Sequence, residues 1–265
     1  MTKNFCPRIG EMTEEVLKIP AELQGVSAMI RGVFFDFVGT LITKSGENVT
    51  HQNIIKETLR RAGREDLDCI KLWEEYEEES SALFRELAGK PYVKIRDVDT
   101  EAIERVARRH GFDVPEDFWT INVEMHKKYG ELFPDAKETI MALKSLGLHV
   151  GIITDSDNDY IKAHLEALGI YDLFDSITTS EDAGFYKPHE RPFLLALEKA
   201  GIKPGEAIYI GDNPAKDCVG AKKVGMYSVL LDPESSKRAL WENCDFIVSR
   251  LKDVVEIVQG LSAQI

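Results

Sequence analysis

Apolar positions along this chain recur with two different periods. Short runs rich in β-branched and aromatic residues stand at 33–35, 149–154, 176–179, 207–210, 227–231 and 246–248. Each is short and closed by Gly, Asp, Thr or Ser, which predicts strands buried on both faces. Between them, apolar residues fall at helical spacing over 137–146, 157–168, 192–200, 217–224 and 251–258, with Gly147, Gly169, Gly201 and Gly225 as helix stops. Strands alternating with helices in this way predict an α/β fold with a doubly wound parallel sheet.

One block breaks the alternation. Helical patterns over 53–62, 67–88, about 99–109 and about 116–129 follow one another with no strand between them. They predict an all-helical insertion between the first strand and the next α/β unit. Residues 43–48 are polar with a glycine and read as a linker into it. The run of glutamates at 74, 75 and 77–79 reads as a solvated helix face. The expected organisation is an N-terminal extension over 1–29, a core of 30–46 and 131–265, and a helical domain of 47–130. In the extension, Val16, Leu17 and Ile19 precede Pro20, which suggests a short broken helix or a strap over an exposed edge.

At 265 residues the chain can bury a sizeable core. Apolar content of 43% beside 30% charged residues reads as a soluble globular protein. A net charge of −13 argues against nucleic-acid binding through a basic face. It leaves an anionic substrate open, because a bound divalent cation reverses the local sign. Cys6, Cys69, Cys218 and Cys244 show neither metal-ligand nor redox spacing, and are expected as unpaired thiols in a reducing compartment. No run approaches the roughly 18 apolar residues of a membrane span, and the first residues lack a signal-peptide layout. The reading is a cytoplasmic protein with no membrane partner, either monomer or homodimer.

Candidate chemistry gathers at the strand ends. The first strand runs directly into Asp36, and a carboxylate there is costly to bury unless paired or metal-bound. Gly39 permits a tight turn, and the Thr40 hydroxyl can bind an anion. Strand ends are also where ligands bind in parallel α/β sheets. Thr154 ends the second long strand, where it, Asp155 or Ser156 can cap the next helix. Tyr186-Lys187-Pro188 follows Ser180-Glu181-Asp182-Ala183-Gly184, and Gly211-Asp212-Asn213-Pro214-Ala215-Lys216-Asp217 follows the strand at 207–210.

These four segments, in this order, resemble the four motifs of the haloacid dehalogenase superfamily of phosphatases and related hydrolases. The resemblance implies Asp36 as nucleophile, Thr154 and Asp155 at the phosphoryl oxygens, and Lys187 neutralising nucleophile and phosphate. It implies Mg2+ held by Asp36, the Val38 backbone carbonyl and Asp212, with Asp217 a ligand or a holder of the metal's waters. The helical insertion would be a cap that closes over the site. The implied reaction is hydrolysis of a small phosphorylated metabolite through an aspartyl-phosphate on Asp36. The family's first motif is Asp-x-Asp-x-Thr, and this chain has Val38 at the second Asp, the usual general acid/base. Replacement acids would come from Asp155, Glu47, His51 or His126. Phosphonatase chemistry, which would need a Schiff-base lysine such as Lys56, Lys71, Lys90 or Lys94, is an alternative. So are dehalogenase chemistry and ligand binding without turnover.

Overall fold

The computed structural model describes residues 29–237 and 242–262, so the extension expected over 1–29 lies, apart from Met29, outside the described residues. β1 (Gly32–Phe35) is buried along its whole length. It is flanked by β2 (His149–Thr154) and β4 (Ala207–Gly211), both parallel to it. β3 (Ser176–Thr179), β5 (Tyr227–Leu231) and β6 (Phe246–Val248) complete a six-stranded parallel sheet in the order β3-β2-β1-β4-β5-β6. The chain builds one half outward from β1 and then returns to build the other. That makes the β1–β4 neighbourhood the topological switch point, where a crevice forms beyond the strand ends.

The strand pleat divides the core. Val33 and Phe35 of β1 join Val150, Ile152, Ile208 and Ile210 on one face, packed against α5 (Ala136–Ser145), α6 (Asn158–Ala167) and α10 (Asp253–Ser262). Phe34, Ile153 and Tyr209 point the other way, against α8 (Glu190–Ala200) and α9 (Val219–Val224). A short helix, α7 (Ser180–Ala183), follows β3 directly. Burying a side chain such as Phe35 stabilises the fold by about 1.5–3 kcal/mol, so continuous apolar strands are what a sheet covered on both faces requires. The doubly wound α/β reading therefore holds.

Four helices are inserted between β1 and α5: α1 (Lys44–Arg61), α2 (Cys69–Leu87), α3 (Ile95–His110) and α4 (Phe118–Tyr129). They bury a cluster of their own, including Ile54, Leu59, Leu72, Ile103, Val106 and Ile121. Asp68 starts α2 by accepting the backbone N–H groups of Ile70 and Lys71 at 3.0 and 3.2 Å.

Two local expectations are corrected. Residues 43–48 are not a linker but the opening of α1, because the Thr43 hydroxyl accepts the Gly46 N–H at 3.0 Å and caps the helix. α3 begins at Ile95, before the start expected near residue 99. Its first amides are held by Asp157 from the sheet side of the molecule, with Ile95 N and Arg96 N donating at 2.7 and 3.2 Å. The expectation of unpaired thiols is also corrected: Cys218 and Cys244 form a disulfide beside Leu230 and Ile247. The argument from scattered cysteines to a reducing compartment loses its premise. Among the described residues, no helix is long and apolar enough to cross a membrane.

Candidate active site

Strand register brings three of the four motif segments to one edge, and the side-chain bonds of Lys187 bring in the fourth. Phe35 pairs with Ile152 on one side and Ile210 on the other. Asp36, the next residue, continues the ladder by donating its N–H to Ile210 O at 2.8 Å. It is therefore level with Ile153 and Gly211, and Thr154 and Asp212 follow one position further on. After Asp36 the chain folds back tightly, with Leu41 N and Ile42 N both donating to Phe37 O.

Two glycines let carboxylates approach the backbone. Gly39 has φ +77°, and a Cβ there would stand 2.7 Å from Asp212 Cγ. A Cβ on Gly211 would stand 2.3 Å from Asp217 Cγ. Both spacings are shorter than carbon atoms tolerate, so side chains at 39 or 211 would displace the acidic groups.

Lys187 is the hub. It is 2% exposed, and its ammonium group reaches Asp36 Oδ1 at 2.9 Å, Asp217 Oδ1 at 2.7 Å and the Tyr209 hydroxyl at 2.8 Å. An ammonium has three donors, and all three are used. Burial pulls its pKa down, but Asp217 and Asp36 outweigh that and hold it well above the ordinary lysine value. Tyr209 donates its hydroxyl hydrogen to Ile153 O at 2.9 Å, with Asp217 Oδ1 a second acceptor at 3.2 Å, so the hydroxyl oxygen accepts from the lysine.

The carboxylates differ in their partners. Burial, and then Asp217 and Asp212, push Asp36 up to about 7 against the pull of Lys187. Asp212 is held below the usual range: burial raises it, but Lys237 and Lys44 more than compensate, at 3.1 and 2.8 Å from its Oδ2. Asp217 is 1% exposed and accepts Asn213 N on Oδ2 at 2.8 Å. The ligand oxygens of Asp36, Asp212 and Asp217 lie within 4.8 Å of one another. An all-oxygen donor set of clustered carboxylates suits Mg2+ better than a nitrogen- or sulfur-preferring ion. Both Asp217 oxygens already have protein donors, so it fits the role of orienting a metal's waters better than that of a direct ligand.

Other expected residues fall as follows. Thr154 is buried at the end of β2. Asp155 uses its carboxylate to clasp the neighbouring loops, accepting Lys187 N at 3.0 Å and pairing with Lys216 at 3.4 Å. Only its backbone amide remains suited to an anion. The Thr40 hydroxyl is enclosed and has no hydrogen-bond partner among the described residues. Val38 is 39% exposed and lies in the turn that Gly39 N closes on Ile42 O at 3.0 Å. Glu47, His51 and His126 gather with one another, and among the described residues none of them makes a hydrogen bond or ion pair to Asp36. Lys56, Lys71, Lys90 and Lys94 are all exposed. Sequence reasoning missed Tyr209, Lys44 and Lys237. A tyrosine inside an otherwise aliphatic strand was the available signal for the first, and the two lysines carried none.

Residues 30–225 match the model of the family described as haloacid dehalogenase-like hydrolase. Among curated relatives, the chain is 36% identical over 130 residues to a glyceraldehyde 3-phosphate phosphatase of Methanocaldococcus jannaschii. That alignment covers 49% of this chain and 57% of the relative, so the chain spans little more than half of that protein's length. A PpaX-type protein of Clostridium perfringens is 28% identical over 240 residues, covering 89% of this chain and the whole of the relative. Among solved structures, magnesium-bound YfnB of Bacillus subtilis superposes with a TM-score of 0.72 at 17% identity, over 87% of this chain and 99% of that one. The L-2-haloacid dehalogenase of Xanthobacter autotrophicus gives 0.67 at 22%, over 88% and 99%. At such identities the structures speak for the fold alone.

Proposed function

Because the chain belongs to the haloacid dehalogenase-like hydrolase family, we propose that it is a Mg2+-dependent phosphatase that transfers the phosphoryl group of a small metabolite to Asp36. The observation that carries this reading is the ammonium of Lys187 bonded at once to Asp36 and Asp217, with Asp212 alongside. A phosphoryl group brings negative charge to a carboxylate nucleophile, and the fixed positive charge of Lys187 makes that encounter affordable. Asp36 and Asp212, with the Val38 carbonyl, would hold the metal, and Asp217 would orient its waters. When bound, it would supply charge neutralisation at the phosphoryl oxygens. The phosphatase names of the relatives support the same reaction class.

In this reading Asp36 attacks phosphorus, an aspartyl-phosphate forms, and the bond to the leaving oxygen breaks with its electron pair. Water then cleaves the aspartyl-phosphate, releasing phosphate and restoring Asp36. Val38 can neither protonate the leaving group nor deprotonate that water. Substrates whose leaving group is stable as an anion, such as another phosphate or an aryl or acyl oxygen, are therefore favoured. The reading takes residues 30–46 and 131–265 as the core and 47–130 as the cap. A dehalogenase shares this fold, so the reaction rests on the site, where three clustered carboxylates suit metal-assisted phosphoryl transfer. The exposed lysines of the insertion give no support to a phosphonatase, since a Schiff-base lysine is activated by burial or a cationic neighbour.

The test is hydrolysis of p-nitrophenyl phosphate with and without Mg2+, alongside halide release from 2-haloacids. Metal-dependent phosphate release that disappears in Asp36→Asn is expected. Halide release without metal, or phosphate release unaffected in Asp36→Asn, would overturn the reading.

A further inference from the structure

A second constellation lies apart from the four motifs, where α1 and α4 meet. Glu47 and His51 stand one turn apart on α1, and His126 faces them from α4. One ligand atom from each falls within 4.8 Å of the others. Glu47 Oε1 is 3.5 Å from His51 Nε2 and 3.4 Å from His126 Nε2. The His126 ring is 2% exposed, yet its Nε2 has no hydrogen-bond partner, and neither does Glu47 Oε2.

The other ring nitrogens explain which atoms are lone pairs. His126 Nδ1 bonds the Asn122 carbonyl at 2.8 Å, so Nδ1 carries the proton. His51 Nδ1 bonds the Glu77 carboxylate, which likewise claims its proton. In the neutral rings both Nε2 atoms then present lone pairs to a carboxylate that has only lone pairs of its own. Such a convergence is repulsive unless a cation sits within it. The spacing suits one: donors about 2.0–2.1 Å from a tetrahedral zinc ion lie about 3.4 Å from each other, which is the separation of Glu47 Oε1 from both imidazoles. Nδ1 groups anchored on a carboxylate and a backbone carbonyl are also the outer-shell pattern that orients metal-binding histidines.

We propose that Glu47, His51 Nε2 and His126 Nε2 form a binding site for one borderline divalent cation of the zinc type. Two imidazoles and a carboxylate select zinc or cobalt over magnesium, which takes oxygen donors. Three protein donors leave a position for water. The site ties α1 to α4, whose near ends are already linked where Thr43 bonds Glu131 through N–H to carbonyl at 2.8 Å and hydroxyl to carboxylate at 2.9 Å. Both connections between the helical insertion and the sheet run through that point. A cation there braces the root of the insertion. The competing occupant is a proton: although burial lowers it, bonds to Glu47 and Glu77 lift the His51 imidazole to about 10.

The test is titration of the intact protein with Co2+, followed by visible absorption in excess Mg2+, and a crystal soaked in Zn2+ for anomalous scattering. One equivalent of Co2+ bound in a four-coordinate spectrum is expected. It should persist in Asp212→Asn and vanish in His126→Asn and Glu47→Gln. Glu77→Gln should weaken it about 10–100-fold. An anomalous peak between the three side chains in the wild type stands whether or not His126→Asn folds. No uptake, uptake abolished by Asp212→Asn, or no anomalous peak at this site would overturn the proposal and leave a protonated imidazole as the occupant.

Discussion

Replacing Val38 by Asp tests what the chain lost at its second motif position. The turn that carries it is fixed by backbone bonds, Gly39 N to Ile42 O at 3.0 Å and Leu41 N to Phe37 O at 2.8 Å, so a new side chain leaves its path unchanged. Val38 is 39% exposed, and exchanging its two methyl groups for a carboxylate of similar size removes little packing. The new carboxylate stands two residues after Asp36, which burial and the neighbouring acids already push up to about 7. Negative charge close by raises an added Asp toward the range where an acid/base works near neutral pH. A general acid/base contributes about 10²–10⁴ in rate, or about 2.7–5.5 kcal/mol of barrier. The assay is phosphate release from an alkyl phosphate and from p-nitrophenyl phosphate by wild type and Val38→Asp. Alkyl phosphate turnover should rise about 10²-fold or more. The aryl ester, whose leaving group needs little protonation, should gain less. A gain below about tenfold for the alkyl ester, or equal gains for both, would refute the idea that the missing acid limits the wild type.

Further outcomes follow from the same geometry. Gly39→Ala places a methyl group 2.7 Å from Asp212 Cγ at φ +77°. Displacement of that carboxylate by about 1 Å should cost about 10²-fold in kcat/KM, with the far-UV spectrum unchanged. Asp157→Ala removes the acceptor for Tyr92, Ile95 N and Arg96 N. It should lower stability to urea by about 1–3 kcal/mol and speed proteolysis at the start of α3. The Cys218–Cys244 link spans 26 residues, for which chain entropy gives about 3.5 kcal/mol. Cys218→Ser should lose a stability of that order, and peptide mapping without reductant should recover the linked pair.

The sheet was legible because strands buried on both faces must be apolar throughout, and runs such as Val33–Phe35 and Ile208–Ile210 announce that condition directly. The strand-end residues were legible for the same reason, since a carboxylate or hydroxyl stands out where an apolar run stops. What escaped were features made by distant pairing. Asp157 caps α3 from 62 positions further along the chain, so nothing near Ile95 marks the helix start. Gly46 and Ser45 carry turn preference, yet Thr43 overrides it by capping α1. Lys44 and Lys237 reach Asp212 from distant parts of the sequence, and as single surface-type lysines they carried no periodic signal. The disulfide forms because Cys218, just before α9, packs with Leu230 of β5 and Ile247 of β6 beside Cys244, a meeting that no cysteine spacing encodes.

The central claim is that Asp36 becomes phosphorylated, and Val38 makes this directly observable. Without a base to activate water, breakdown of the aspartyl-phosphate should be slower than its formation from an aryl ester. The decisive measurement is peptide mass spectrometry of protein acid-quenched during turnover of p-nitrophenyl phosphate with Mg2+. The account predicts one phosphoryl group on the peptide bearing Asp36, absent in Asp36→Asn and reduced in Val38→Asp. Sustained turnover with no phosphorylated Asp36 peptide, at a rate unchanged in Asp36→Asn, would contradict it.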